Sequence, residues 1–343
     1  MNKDQHQALL SAYDQDKNNL AKYQEIYKYA YILSDGIFKI VFTQDKEHTL
    51  LISLVNAMLD LQGDQAIKSI TLEMQEFPGA FDKKNCILDI IGTTNADEKV
   101  LVEIQQKSAA FFRDRVEYYV SRVIENQVHK SESYELPRIY FLGLLDFVLF
   151  PEEPARYLHH VEEMCNGRPF FPKIQKVFVE LQKFFELDDA GLVSADESDA
   201  AKWLRAIKST IQEKPMPEAL VKNPIFVKLQ NDMKLCNFGD ELFNLEVHRM
   251  NDLKFERECG YADGRETGLL EGKEIGRAEG EKLGRAEGEK LGRAEGERIG
   301  REAARKDSVI KALKRGKLTP EEIAEDNEMS LEDVLNIQKS MAN

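Results

Sequence analysis

The chain has 343 residues, 42% of them hydrophobic, which is length enough for two ordinary domains and excludes a wholly disordered protein. No stretch approaches the ~18 consecutive apolar residues of a membrane span, and the opening MNKDQHQALLSAYDQDKNN is polar and acidic, so the expectation is a cytoplasmic protein with no membrane partner. A net charge of −14 repels phosphate over the chain as a whole and leaves any nucleic-acid contact to a local basic surface or a bound metal; the four cysteines lie far apart with no C-x-x-C pair, which argues against a zinc knuckle or a disulfide framework.

Residues 1–32 read as one or two polar helices and 49–59 as a strongly apolar one. Three strand-like segments rich in Ile, Leu and Val follow, at 67–77, 86–93 and 99–105, with Asn95-Ala96-Asp97-Glu98 as a tight hairpin between the last two. Helical spacing returns over 109–131, and 138–145 is a fourth strand, giving the order α-β-β-β-α-β over residues 1–150. Beyond Pro151, segments 161–164, 174–185, 200–211 and 225–257 read as helices, so that 151–258 is expected to be a helical region without an interpretable motif.

Composition changes near Gly260. From there to Gly300 a glycine falls at every fourth position, eleven of the chain's twenty, and GRAEGEKL (276–283) recurs at 284–291 and, as GRAEGERI, at 292–299. The pairs Glu281 to Arg285, Glu289 to Arg293 and Glu297 to Arg301 favour a helix, but only by about 0.3–0.5 kcal/mol each, whereas every glycine costs roughly 1 kcal/mol relative to alanine. Ile275, Leu283, Leu291 and Ile299 sit eight apart and spiral around a 3.6-residue helix without making a stripe. A solvated spacer of mixed helix and coil over 259–306 is the expectation, with a self-associating rod as the alternative. Residues 307–343 read as a small helical module, with a capping box at Thr319-Pro320-Glu321-Glu322 and a second start at Ser330. Residues 319–343 carry far more acid than base, which favours dimerisation or docking over DNA reading.

Alternation in the third strand sets Val100, Val102 and Ile104 on one face and Leu101, Glu103 and Gln105 on the other. Asp89 lies within the preceding strand, and the hairpin folds it back toward Glu103. Two converging carboxylates suit Mg²⁺ or Mn²⁺, yet an acid in a strand also serves as an edge charge or an ion-pair partner, and spacing does not choose between these. On the following helix Arg115, Tyr118, Tyr119 and Arg122 share one face at i, i+3, i+4 and i+7, where they could grip a DNA backbone or, for the tyrosines, pack in the core.

SDGIFKIVF (34–42), LVNAML (54–59), ILDI (87–90), VEIQ (102–105) and FFRDRVEYYVSRVIENQVHKSESY (111–134) resemble the PD-(D/E)XK nuclease family transposases, the Rpn recombination-promoting nucleases, over about residues 27–150. The resemblance implies a restriction-endonuclease-like α/β core and Mg²⁺-dependent DNA cleavage in recombination, mobility or defence. It makes Asp89 and Glu103 metal ligands together with the Ile104 carbonyl, and Asp35 an extra acid or a helix cap. Gln105 stands where the wider superfamily has lysine. It supplies no positive charge, so either Lys107 reaches back as a substitute or it is a solvated strand-end residue. If Gln105 occupies the lysine position, Gln105→Lys should preserve or raise activity. The competing reading is a catalytically weak relative acting as an oligomeric interaction protein through its repeat and tail.

Overall fold

The computed structural model describes all residues except 75, 78–85, 109–110, 128–134, 195–197 and 343. It divides into two compact units, residues 1–253 and 254–343. In the first, helices Lys3–Gln15 (α1), Asn19–Ile26 (α2), Asp35–Thr43 (α3) and Thr49–Leu59 (α4) precede strands Ile70–Leu72 (β1), Glu76–Phe77 (β2), Cys86–Ile87 (β3), Ile90–Thr94 (β4) and Lys99–Gln105 (β5). Helix Phe112–Glu125 (α5) and strand Ile139–Leu145 (β6) follow, and with β2 and β3 set apart as a separate pair the main-sheet strands β1, β4, β5 and β6 give the α-β-β-β-α-β order expected from the sequence.

The chain then departs from the helical expectation. Strands Leu158–Val161 (β7), Met164–Cys165 (β8), Arg168–Pro169 (β9) and Ile174–Glu180 (β10) come before helices Leu181–Asp189 (α6), Asp199–Ile211 (α7), Glu218–Val221 (α8) and Pro224–Asp232 (α9). The main sheet has the order β1-β4-β5-β6-β10-β7, so two of its six strands lie beyond residue 150, where helices had been expected at 161–164 and through the first half of 174–185. β10 runs parallel to β6, pairing Ile174 with Ile139 and Glu180 with Leu145, and β7 closes the edge antiparallel to it. The physical reason is burial on both faces: Val177, Phe178 and Val179 are all buried, which removes the polar alternation that marks a half-exposed strand.

Each face of the sheet has its own core. Val100, Val102, Ile104, Leu142, Leu144, Val177 and Val179 meet α1, α3, α4, α7 and α9 on one side. Leu101, Ile91, Phe141 and Phe178 meet Phe112, Val116, Val120 and Val123 of α5 on the other, which is the alternation expected of the third strand. The expected hairpin is present, with Thr94 N–H donating to the Glu98 carbonyl and Asp97 left-handed at φ 57°. Gly92 is required by the β1–β4 pairing, since a Cβ there would lie 2.5 Å from Ile70 Cγ2 and 2.8 Å from the Thr71 carbonyl oxygen.

A single helix, Asp240–Arg315 (α10), runs through the glycine repeat, and Pro320–Asp326 (α11) and Leu331–Ala342 (α12) follow it. The expectation of mixed helix and coil is therefore corrected. Three of every four repeat residues are good helix formers and no proline interrupts them, while Arg298 pairs with Glu295 at 2.6 Å and with Glu302 at 2.7 Å. Both ends grow from helix already packed within its own unit, at Leu242 and Phe243 in the first and Val309 in the second, so the repeat bears no nucleation cost. An added Cβ at any glycine from Gly268 to Gly300 would meet nothing within 4 Å. In the second unit Val309, Ile323, Ala324 and Val334 form a small core, and the Thr319 capping box is present.

Candidate active site

Continuing the register that pairs Ile90 with Val102 sets Asp89 opposite Glu103. The strand is broken there: β3 ends at Ile87, pairs with β2 and not with the main sheet, and β4 starts only at Ile90. Asp89 thus sits at a bend, not midway along a continuous strand as the sequence suggested. Its Oδ2 accepts from Ile104 N–H at 2.7 Å, a side chain in the place where a ladder carbonyl would otherwise stand.

Glu103 points to the α5 side of the sheet and is 7% exposed. Burial pushes its carboxyl well above the usual carboxylate range, and the neighbouring Asp89 adds to the shift both as a like charge and as a hydrogen-bond partner, with Arg115 opposing them. Along the sheet the next position is Gly143 on β6, then Phe178 on β10, whose ring would lie 3.0 Å from a Gly143 Cβ. The row beside the carboxylate is therefore apolar and closed.

Asp35 reaches the same region from the first turn of α3. Burial, then the charge of Asp89, raise its carboxyl from 3.8 to about 6, against the pull of Arg249. Arg249 Nη2 lies 2.8 Å from Asp35 Oδ2, and one turn earlier on α10 Glu246 accepts from Ser34 Oγ and stands 2.8 Å from His6 Nε2. Gly36 allows this approach, because a Cβ would lie 2.9 Å from both Glu246 Oε1 and Leu242 Cδ1. Glu246, Arg249 and His6 were invisible to sequence reading. Nothing in a local pattern announces that residues about 210 apart in the chain will share the end of one helix.

Gln105 accepts from Arg115 Nη2 and donates from Nε2 to the Lys107 carbonyl at 3.0 Å. The Arg115 guanidinium lies over the rings of Phe112 and Tyr119, 5.3 and 5.8 Å from their centroids. Tyr118 and Tyr119 are half-buried against the α5 core, and Arg122 pairs with Glu125 and is largely covered. Lys107 is exposed. Of the basic face expected on this helix, Arg115 is the member that contacts Gln105 and whose charge acts on Glu103. The end of the helix expected over 109–131, with Lys130 on it, lies outside the described residues.

Among the described residues no group of three or more His, Cys, Asp or Glu side chains is arranged to hold a metal ion. The pair Asp89 and Glu103 nevertheless fits a hard divalent cation. Two carboxylates pressed together with one of them driven toward protonation are like charges awaiting a counter-charge, and oxygen donors of this kind are what such an ion takes.

A six-stranded mixed sheet flanked on both faces by helices is consistent with the PD-(D/E)XK fold. Residues 32–257 match the model of the PD-(D/E)XK nuclease family transposases, and the chain belongs to that family. The matched span takes in Asp35, Asp89, Glu103, α5 and the start of α10, and ends before the glycine repeat. No curated protein and no solved structure matches the chain. The family is one of nucleases, which act on DNA and generally use divalent metal ions. Among the described residues no helix is long and apolar enough to cross a membrane.

Proposed function

We propose that the protein is a Mg²⁺- or Mn²⁺-dependent DNA endonuclease working in recombination, DNA mobility or defence. The observation that carries this reading is the Asp89–Glu103 contact at the end of the hairpin, in a chain of nuclease family membership. Asp89 and Glu103, with the Ile104 carbonyl, would hold the metal. When bound, such an ion supplies Lewis acidity toward a phosphoryl oxygen and lowers the pKa of a coordinated water. The chain's own residues do the rest. The Asp89 carboxylate is fixed by Ile104 N–H, Glu103 is shielded from bulk water by the α5 core, and Asp35, held by Arg249 at the first turn of α3, is the further acid beside them. Exposed Lys107 and half-buried Arg115, Tyr118 and Tyr119 flank the site, with Arg122 further along the helix, and are the proposed DNA contacts. The C-terminal module, with Leu318, Leu331, Leu335 and Met341 exposed, is the proposed self-association element.

Plasmid nicking with Mg²⁺, Mn²⁺, Ca²⁺ or EDTA tests the reading. Cleavage is expected with the first two, and Asp89→Asn or Glu103→Gln should abolish it while leaving a folded protein. Unchanged nicking by pure Asp89→Asn protein would sink the assignment. A metal-dependent rise in melting temperature of the wild type, absent in Glu103→Gln, is the matching readout without catalysis.

A further inference from the structure

Breaking a phosphodiester places extra negative charge on the phosphoryl oxygens, and a divalent ion whose charge is already balanced by two carboxylates leaves room for a further cation close by. Residue 105, next on the same strand face after Glu103, is neutral. Among the described residues, three other cations of this end of the sheet are engaged elsewhere. Lys3 binds the Gln106 carbonyl at 2.7 Å and Asp146 at 3.4 Å, Arg113 the Leu149 carbonyl at 3.0 Å, and Arg249 the Asp35 carboxylate. Lys107 is exposed at the strand end, and what it gives to Gln105 is its carbonyl.

We propose that Arg115 is the catalytic cation of this site, contacting the scissile phosphate, and that Gln105 is its positioning residue. The inference rests on the nuclease reading above. Three observations converge on it. The Gln105 amide is used at both ends, its oxygen by Arg115 and its nitrogen by the Lys107 carbonyl, so the glutamine is a fixed acceptor rather than a donor awaiting substrate. The guanidinium is pinned over Phe112 and Tyr119, which limits the ordering it must undergo and leaves most of its five N–H groups for a phosphate, whose geometry the planar fork matches. Finally, Arg115 occupies the first turn of α5, where the positive end of the helix disfavours a cation, so helix stability does not account for it. Its field is also felt at Glu103, where it opposes protonation of the carboxyl.

The test is steady-state cleavage of supercoiled plasmid with Mg²⁺ by the full chain, beside DNA affinity measured with Ca²⁺. Arg115→Gln should lower kcat by about 100-fold, the scale of losing one charge-stabilising contact, with KM and Ca²⁺-supported affinity changed only a few-fold. Arg115→Lys should recover part of the loss. Gln105→Leu should fall about 10-fold, and Gln105→Lys should gain nothing, because it sets a like charge against Arg115 and removes the acceptor. The double variant Gln105→Lys/Arg115→Gln moves the cation onto the strand and should cleave at least about 10-fold faster than Arg115→Gln alone. A role in packing alone would not produce that rescue. Wild-type kcat in Arg115→Gln, a loss confined to DNA affinity, or a double variant no better than Arg115→Gln each overturns the proposal. Failure of the wild type to cleave overturns the nuclease reading instead, and this inference with it.

Discussion

Asp35 and Glu103 share a property that ordinary surface carboxylates lack: folding makes them harder to ionise. The folded state then holds protons that the unfolded state has released, so stability declines as pH rises through the folded value. For Asp35 that window runs from 3.8 to about 6. In EDTA, Asp35→Asn should therefore be more stable than wild type at pH 8 by on the order of 1–3 kcal/mol, reduced by loss of the Arg249 pair, and indistinguishable from it at pH 4. Denaturant melts at the two pH values, followed through the single buried Trp203, measure this; a gain that persists at pH 4 would contradict it. The meeting of Asp89 with Glu103 was legible in the sequence because a period of two and a short hairpin fix which residues face each other. The capture of Gln105 by Arg115 was not, since β5 and α5 are separate elements and no periodicity sets the angle between them. Lysine at position 105, neutral or beneficial on sequence grounds, is thereby expected to bring no gain while Arg115 is present.

Helix α4 and the ends of β5 and β6 fall within a residue or so of where residue pattern set them, and β7 and β10 were misread. In 174–185 the strand passes into α6 at Leu181 without a turn residue, so Ile174, Val177, Leu181, Phe184 and Phe185 give helical spacing across a junction that is half strand. Glu180 closes that junction. It is fully buried, and although burial pushes its carboxyl up, Lys183, the amides of Phe150 and Leu149, and His159 together hold it below the usual carboxylate range. A depressed value contributes stability above the ordinary carboxylate pKa and loses it as pH falls. Glu180→Gln should cost about 2–4 kcal/mol at pH 7 and progressively less below pH 4.5, because Lys183 and His159 lose their buried partner. Chemical denaturation across that range checks it, and a cost unchanged at pH 3 would count against the assignment.

At the level of the whole chain, the repeat shows how local propensity yields to context. Summed glycine costs favoured coil, but the sum treated the segment as isolated, and a helix already nucleated from packed ends need only propagate. Replacing Gly284, Gly292 and Gly300 by alanine should raise helix stability by about 1 kcal/mol per site, since no neighbour obstructs the new methyl groups. Slower trypsin cleavage within 276–301 and an unchanged nicking rate are expected. A fall in solution mass on those substitutions would instead show that the glycines mediate self-association. Deleting 307–343 is the change expected to lower that mass, by light scattering.

The division into 253 and 90 residues also bears on how the protein is made. At about 5–20 residues per second, a ribosome needs roughly 5–18 s to add the second unit. Every strand of the main sheet, the carboxylate pair and the Glu246 that meets His6 belong to the first, so β pairing and closure of α1 against α10 can finish on the nascent chain during that interval. The charged helical segment works in this setting as elapsed time, granting the slow-pairing sheet a head start before α11 and α12 exist.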